Sequence, residues 1–356
     1  MENPLLELQE YENLQEALKK AKGPVQATGT LDSQKVHLMY WLGKDGGFPW
    51  KLVVTYDDQR AREIYDDFRS FTENVWLYPA KDLLFYSADI HGNLMTRQRI
   101  AVWRHLMEEK EGVVVTTLDG LMDHLLPLVF LKQQAVTVEN GQIMDLDEWK
   151  ERLTALGYER TAQVDGMGQF SIRGGIVDIF PLTEEVPVRI ELWDDEVDSI
   201  RSFDPESQRS VEQLEKITIY PSAETILTKK QLEAGIERLE KEEKEYEAAL
   251  RAKHQIEEAS RIRGIIKELT EGIRQGWKRD GLDAYIRYFC PETVSFLDYF
   301  PAGDTLICLD EPARLKEKGE TVEQEFRESM IHRLEKGYLL PGQTELLYAG
   351  TQVLAK

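Results

Sequence analysis

The 356-residue sequence lacks the features that mark membrane, secreted or disulfide-bonded proteins. It has no apolar run of about 18 residues, the length that a membrane-spanning helix needs. Its start, MENPLLELQEYENLQEALKKA, indicates an acidic amphipathic helix rather than a secretory signal. It has only two cysteines, Cys290 and Cys308, and neither belongs to a CxxC motif or a Cys/His cluster. We therefore expect a cytoplasmic protein with reduced cysteines in its core and no metal site.

Positive charge is also scarce, because 65 acidic residues stand against 44 basic ones and the net charge is −21. A surface this acidic repels the phosphate backbone of nucleic acids, which argues against a chain that clamps DNA along its whole length. A local basic patch stays open as an alternative. Protein partners are the better starting hypothesis.

The first part of the chain predicts an α/β domain built on a parallel sheet. Apolar strands alternate there with amphipathic helices, a pattern typical of a parallel sheet covered on both faces. A later apolar segment, TLICLDEP (305–312), is expected to form another buried strand and to rejoin this sheet, so that the domain is discontinuous. The predicted strands lie at 51–56, 75–78, 112–117 and 129–138, and the predicted helices at about 62–68, 95–107, 118–127 and 145–156.

The middle of the chain changes to short alternating strands with tight turns. This pattern, over residues 158–220, predicts an inserted antiparallel β-rich domain. We expect the first part of the α/β domain at 1–125, the β-rich domain with a leading helix at 126–225, and a long helix and the return to the α/β domain at 226–356. The apolar stripe of that helix consists of Leu232, Ile236, Leu239, Tyr246 and Leu250. The stripe predicts a solvated helix packed along one side, and a partner-binding coiled coil is the alternative.

One face of the β-rich domain is expected to be an interaction surface, because alternate residues of a strand face opposite sides. The residues predicted to face inward are Phe170, Ile172, Val188, Ile190 and Leu192. The residues predicted to face solvent are Ser171, Arg173, Arg189, Glu191 and Trp193. Arginine and tryptophan are enriched at interface hot spots. In the alternative interpretation, the arginines pair with Asp178 or Glu191 and Trp193 covers a sheet edge.

Residues 157–210 contain the phrases FSIRGGIVDIFP, PVRIELWDDEVDSIRSFD and SQRS in that order. This segment resembles the second domain of the transcription-repair coupling factor (Mfd) family and of the excision-nuclease subunit UvrB. Weaker similarity at 79–100 and 294–312 extends across nearly the whole chain. The resemblance implies a UvrB-like module, in which a discontinuous, degenerate helicase or P-loop-like parallel-sheet domain carries an inserted antiparallel β-rich domain. It also implies that Arg173, Arg189 and Trp193 contact the repair protein UvrA, with Glu191 on the same face.

The segment ATGTLDSQK (27–35) lies where UvrB has a phosphate-binding loop of the form G-x-x-x-x-G-K-[ST]. On that pattern the two glycines fall at Gln26 and Leu31, the lysine at Asp32 and the hydroxyl at Ser33. Only the intervening Gly29 and the Ser33 hydroxyl remain. Because an aspartate at the lysine position repels a triphosphate, we expect a degenerate nucleotide loop.

A second vestige of a nucleotide site is the acidic pair Asp310 and Glu311, in the segment that resembles the DExx motif of UvrB. In a working ATPase such a pair would serve the magnesium ion and the attacking water. Considered alone, two acids at a strand end indicate a solvated turn. We expect this segment to bind no cofactor and to contain no catalytic residue.

The resemblance implies a non-catalytic module that recruits UvrA and links stalled RNA polymerase to nucleotide excision repair. Full-length members of this family are ATP-dependent DNA translocases of helicase superfamily 2. We expect the parts that use ATP and magnesium, bind polymerase and contact DNA to follow beyond residue 356. The family also implies an intramolecular contact in which the C-terminal part covers the UvrA-binding face.

Two alternatives remain, an active UvrB-type ATPase and damage-binding subunit, and a nucleic-acid-binding module. UvrB inserts a long tyrosine-rich hairpin into DNA, and the corresponding segment here is short. It has only Phe85 and Tyr86 as aromatic residues, whereas base stacking needs exposed aromatic side chains beside positive charge. Direct damage recognition is therefore not expected.

Overall fold

The computed structural model describes residues 3–20, 23–81, 92–275 and 281–356. In these ranges the strands form a four-stranded, a six-stranded and a two-stranded sheet. The strands are β1 (Trp50–Thr55), β2 (Val75–Tyr78), β3 (Gly112–Thr117), β4 (Val136–Glu139), β5 (Glu159–Arg160), β6 (Gln169–Arg173), β7 (Ile176–Ile179), β8 (Val188–Trp193), β9 (Glu196–Phe203), β10 (Ser210–Leu214), β11 (Lys216–Ile219) and β12 (Thr305–Leu309). The helices are α1 (Gln9–Lys20), α2 (Asp32–Asp45), α3 (Asp58–Phe68), α4 (Gly92–Glu108), α5 (Leu128–Gln134), α6 (Leu146–Ala155), α7 (Lys229–Ala252), α8 (Ile256–Gln275), α9 (Ile286–Phe289), α10 (Pro312–Glu335) and α11 (Gly350–Leu354).

The four-stranded sheet is parallel, in the order β12-β1-β3-β2. Its central strands β1 and β3 are buried along their whole length, as expected where helices cover both faces. One face packs against Val36 of α2 and against Ile64 and Phe68 of α3. β12 lies beside β1 in parallel register although about 250 residues separate them, so the expectation that residues 305–312 rejoin this sheet is confirmed. It is an edge strand with Ile307 and Leu309 exposed, so the expectation of a buried strand is wrong.

The six-stranded sheet has the order β10-β9-β8-β7-β6-β5 and is antiparallel except for the short β5–β6 pair. Its inward residues, such as Phe170 and Ile190, belong to the same continuous apolar core as Val114 of the parallel sheet. The two-stranded sheet pairs β4 with β11 and so joins the two ends of the β-rich segment. The predicted mixed α/β architecture, with a separate antiparallel sheet, is confirmed.

Two predicted elements before the β-rich segment are wrong. The helix expected at 118–127 is only a single 3₁₀ turn, Asp119–Leu121. The strand expected at 129–138 is instead helix α5 followed by the short strand β4. Val129 is exposed and Leu131 is buried, although residues two apart in a strand would face the same side. Pro127 directly precedes α5. Proline is tolerated at a helix start because the first backbone N–H groups have no acceptor within the helix, so no hydrogen bond is lost.

The charged stretch expected to form one long helix is a helical hairpin of α7 and α8. The break lies just after α7, where His254 adopts a left-handed backbone conformation (φ 62°). The stripe residues Ile236, Leu239 and Leu250 are buried, as predicted. α8 packs against α7 through its own apolar stripe. The expectation of a single long helix surrounded by solvent on its other sides is therefore wrong. None of the helices in the described ranges is long and apolar enough to cross a membrane.

A fully buried arginine joins the separate parts of the chain. Arg99 of α4 has no exposed surface, and its guanidinium forms ion pairs with Asp123 (Nη2–Oδ2, 2.7 Å) and Glu224 (Nε–Oε2, 2.9 Å). It also donates to the carbonyl oxygen of Pro79 at 2.8 Å and lies 4.3 Å from the ring centroid of Tyr78. The strand β2, the helix α4 and the segment that leaves the β-rich sheet therefore meet at one side chain.

The helical part of the chain joins the same network through Lys81. Its Nζ lies 3.1 Å from Oε2 of Glu224 and 2.6 Å from Oδ2 of Asp283. Asp283 also accepts a hydrogen bond from Thr225. Burial alone would raise the pKa of Asp283, but the Lys81 charge and these hydrogen bonds more than offset it and lower that pKa. The sequence contains no local signal of this network, whose members are spread from residue 78 to residue 283.

We expect Arg99→Met to lower the free energy of unfolding by about 3–5 kcal/mol, because it leaves the buried Asp123 without its ion-pair partner and leaves Lys81 as the remaining cation of Glu224. Urea denaturation followed by circular dichroism would measure the change. The matched control is Arg97→Met on the same helix, since Arg97 pairs with the exposed Glu185. That variant should lose no more than about 1 kcal/mol. Equal losses in the two variants would contradict the central role of Arg99.

Candidate protein-binding site

Strands β6 and β8, which lie on either side of β7 in the six-stranded sheet, hold the residues of the predicted interaction face. Val188 and Ile190 are buried in the core, whereas Arg189 and Glu191 lie on the opposite face, as strand alternation predicts. Leu192 is half-buried against the core, although a bulge follows Glu191. The predicted orientation of β8 is therefore confirmed.

Both predicted arginines bind one buried carboxylate. Asp178 of β7 is fully buried and lies opposite Arg189 in the sheet. Its two oxygens accept from Nε (2.6 Å) and Nη2 (2.9 Å) of Arg189, and Oδ2 also accepts from Nη2 of Arg173 at 2.7 Å. Arg189 additionally donates to Gln208 at 3.0 Å, and its guanidinium lies 4.6 Å from the ring centroid of Phe203. The two cations are thus held side by side in defined positions.

Pairing with Asp178 leaves the two arginines with different accessibility. The side chain of Arg173 remains 47% exposed, whereas that of Arg189 is 16% exposed. The turn after Arg173 begins at Gly174, which adopts a left-handed conformation (φ 58°), and Gly175 accepts a hydrogen bond from Leu192 N at 2.8 Å. Arg173 is therefore the more accessible cation, and the less exposed Arg189 binds the same carboxylate.

Glu191 is also held by its neighbours. Its carboxylate forms an ion pair with Arg201 of β9 and accepts from Oγ of Ser199 at 3.3 Å. The predicted exposure of Ser171 is wrong. That serine lies on the expected face but is buried, because the segment 161–163 covers it and Ala162 O accepts from its hydroxyl at 3.0 Å. The accessible face is thus limited to the part of the sheet nearer Trp193.

Trp193 projects from the end of β8 and is 81% exposed. It pairs with Glu196 across a two-residue hairpin turn, in which Asp194 adopts a left-handed conformation (φ 61°). A tryptophan that covered a sheet edge would lose far more of its surface to its neighbours. Its exposure favours a contact residue, since an exposed indole offers a large, rigid apolar area.

The segment expected to be a degenerate nucleotide loop lies at the carboxyl edge of the parallel sheet. Residues 23–30 are not a strand, and α2 begins at Asp32 with Leu31 as the preceding residue. Leu31, Asp32 and Ser33 are all exposed, and Gly29 has a left-handed conformation (φ 86°). The strand, loop and helix order of a phosphate-binding loop is therefore not formed here.

The acidic pair at the end of β12 is occupied by cations of the chain itself. Nζ of Lys35 lies 2.8 Å from Oδ1 of Asp310 and 2.6 Å from Oε1 of Glu311. The other oxygen of Asp310 accepts from Nε of Arg60 (3.2 Å) and from the Thr55 hydroxyl (3.0 Å). Asp310 is only 2% exposed, so the expectation of a solvated turn is wrong for this residue, while Glu311 is exposed.

This cluster forms because the carboxyl ends of parallel strands and the starts of the following helices meet at one edge of the sheet. Lys35 lies in the first turn of α2, and Arg60 lies in the first turn of α3. Burial alone would raise the pKa of Asp310, but the hydrogen bond and charge of Lys35 lower it below its usual value. The sequence interpretation missed both cations. In the described part of the chain, no group of three His, Cys, Asp or Glu residues is placed to hold a metal ion.

A family model called UvrB interaction domain matches residues 136–224, which contain Asp178, both arginines and Trp193. The match covers β4 to β11 and therefore the whole six-stranded sheet. Residues 136–224 of the chain are thus similar to the UvrB interaction domain, and the α/β domain lies outside the matched segment.

Several curated relatives with similar sequences are named transcription-repair-coupling factors. The relative from Bacillus subtilis (strain 168) is 34% identical over 291 residues, or 81% of this chain. Those from Staphylococcus haemolyticus and Staphylococcus aureus (strain MRSA252) are 30% and 31% identical over 86% and 85% of the chain. The chain is therefore similar to a part of these transcription-repair-coupling factors, and it spans 24% to 26% of their length.

Replacing Asp178 with alanine should lower the free energy of unfolding by about 1–3 kcal/mol, because the half-buried Arg189 loses its counter-ion. The measurement is urea denaturation monitored by tryptophan fluorescence. Asp198→Ala is the matched control, since Asp198 is an exposed carboxylate on β9 of the same sheet. It should change stability by no more than about 0.5 kcal/mol. An Asp178 variant as stable as this control would show that the arginines do not depend on that carboxylate.

Proposed function

We propose that this chain is a non-catalytic docking module that recruits UvrA. The observation that carries the proposal is the accessible pair formed by Arg173 and Trp193, on a sheet that matches the UvrB interaction domain. Trp193 supplies apolar area, Arg173 supplies a cation, and Arg189 and Glu191 complete the face at its half-buried base. Hot spots of protein interfaces combine these residue types on a rigid support.

The role of the whole protein is a broader proposal, because the chain spans about a quarter of its relatives. We infer that it is the UvrB-like part of a cytoplasmic factor that links stalled RNA polymerase to nucleotide excision repair. The ATP-driven translocase, the polymerase contact and the DNA contact would then belong to other parts of that factor. An intramolecular contact of its C-terminal part with the docking face would regulate access for UvrA.

For the α/β domain we propose a degenerate P-loop-like fold without ATPase activity. Three features support this assignment. Asp32 stands at the position of the phosphate-binding lysine, no strand leads into α2 within the described residues, and Lys35 and Arg60 already pair with Asp310. Magnesium would have to displace two cations from the carboxylate that should ligate it.

The alternative functions fit the observations less well. An active UvrB-type ATPase needs an available acidic pair, and both oxygens of Asp310 have partners. A nucleic-acid-binding module would have to overcome a net charge of −21. The aromatic residues Phe85 and Tyr86, from which the sequence interpretation argued against damage recognition, lie outside the described residues.

We expect Trp193→Ala to weaken UvrA binding by about 30-fold or more, the equivalent of the roughly 2 kcal/mol that defines a hot spot. The substitution should leave the fold intact, because the side chain is almost free of neighbours. Arg173→Ala should also weaken binding, and the double variant Arg173→Ala/Arg189→Ala should abolish it. Surface plasmon resonance with immobilised UvrA would give the dissociation constants.

Val129→Ala is the control for this series, because Val129 is an exposed apolar residue on α5, outside the matched domain. It should bind UvrA as the parent chain does. If Trp193→Ala and the double variant also bind like the parent, the assignment of the face is wrong. If the parent chain itself does not bind, the recruitment proposal fails for this segment.

The chain should bind MgATP no more tightly than about the millimolar range, where ligand binding contributes only about 4 kcal/mol. Isothermal titration calorimetry measures this directly. Asp32→Lys should not restore tight binding, because Lys35 and Arg60 still occupy the acidic pair. Micromolar affinity that is lost in Ser33→Ala would instead establish a working nucleotide site.

A further inference from the structure

One buried position of the parallel sheet, where apolar residues are usual, is a lysine. Lys51 lies in β1 between Trp50 and Leu52 and is only 7% exposed. Its methylene chain crosses α2 at Gly43, where a Cβ atom would lie 2.3 Å from Cε of the lysine. The glycine therefore makes room for this side chain.

The ammonium group of Lys51 is poorly satisfied by the protein. Its one hydrogen bond in the described structure is a long one, 3.4 Å to the carbonyl oxygen of Pro49. Within the described ranges, no carboxylate oxygen lies within 4.0 Å of the Lys51 ammonium nitrogen, the limit for an ion pair. Burial, and to a smaller extent the charge of Lys44, lower the pKa of Lys51, while Glu111 acts in the opposite direction. A buried ammonium without a counter-ion is costly, so a ligand that supplies negative charge would be favoured.

Lys51 lines a cleft of about 150 Å³ at the amino-terminal edge of the sheet, opposite the edge that holds Asp310. Its walls carry hydrogen-bond donors from several elements, namely Lys44, Lys51, Tyr40, Thr72 and Asn74, and one acid, Glu111. The Thr72 oxygen accepts from the Asn74 backbone N–H at 3.1 Å, which leaves the hydroxyl proton free to donate. Two lysines and one carboxylate therefore line the cleft, in a chain that is strongly acidic as a whole.

We propose that this cleft binds a small oxyanion of the phosphate class, with Lys51 as its central ligand and Lys44, Thr72 and Asn74 as further donors. The volume is about five times the roughly 30 Å³ that a water molecule occupies in the liquid. It is well below the roughly 300 Å³ at which pockets for larger organic ligands begin. The cleft thus suits an inorganic oxyanion or a single phosphoryl group better than a whole nucleoside.

The test is a titration of the whole chain with inorganic phosphate at constant ionic strength, followed through the NMR signals of the lysine ε-methylenes and through the melting temperature. Phosphate should shift the Lys51 signal and raise the melting temperature in a saturable way, with millimolar affinity or better. Lys51→Met should abolish both effects. Lys150→Met, at an exposed position of α6, should leave them unchanged.

A second variant keeps the test independent of the stability of the Lys51 change. Lys44 is exposed, so Lys44→Met should fold normally and weaken phosphate binding by about 10-fold. Phosphoserine serves as a second probe. Binding of both probes supports a phosphoryl group carried by a larger molecule, and binding of phosphate alone supports the free ion. A titration without saturation, or one that is identical in the parent chain and Lys51→Met, would overturn the proposal.

Discussion

The buried guanidinium of Arg99 is the constraint on which the arrangement of the chain depends. Apolar contacts are not directional, so the continuous core could tolerate small shifts between the parallel sheet and the β-rich sheet. A fully buried charge tolerates none, because each lost partner leaves an uncompensated ion in the interior. Since Glu224 follows β11 and Asp123 follows β3, the ion pairs of Arg99 hold the segment after the β-rich region against the segment after the parallel strand.

Two buried aspartates, Asp178 and Asp310, have the same kind of ion pairing but leave their cations differently exposed. Each carboxylate is held by two cationic side chains from neighbouring elements. At Asp310 the cations Lys35 and Arg60 fill the space in front of the acid and leave it no open ligand position. At Asp178 one of the two cations still extends into solvent. The geometry of the cations therefore decides whether such a cluster is closed or can act as a contact site.

The local features of the sequence predicted much of the fold and of the candidate face. Strand alternation placed Arg189 and Glu191 correctly, and apolar runs located the parallel strands, including the distant edge strand β12. The errors have physical causes beyond a local pattern. The burial of Ser171 depends on the segment 161–163, which packs over the sheet. The cations of Asp310 lie about 250 and 275 residues away in sequence, and only the topology of the sheet brings them together.

The same pairing at Asp178 explains how the candidate face can bind a partner at low entropic cost. A free arginine side chain has about 2 kcal/mol of rotamer entropy to lose when a contact immobilises it. Arg173 is already restrained by Asp178, and Trp193 has only two side-chain torsions to fix. The turn beside Trp193 is acidic, with Asp194 and Asp195 exposed. A partner that presents a carboxylate to Arg173 and a basic group to this turn would be held in one orientation.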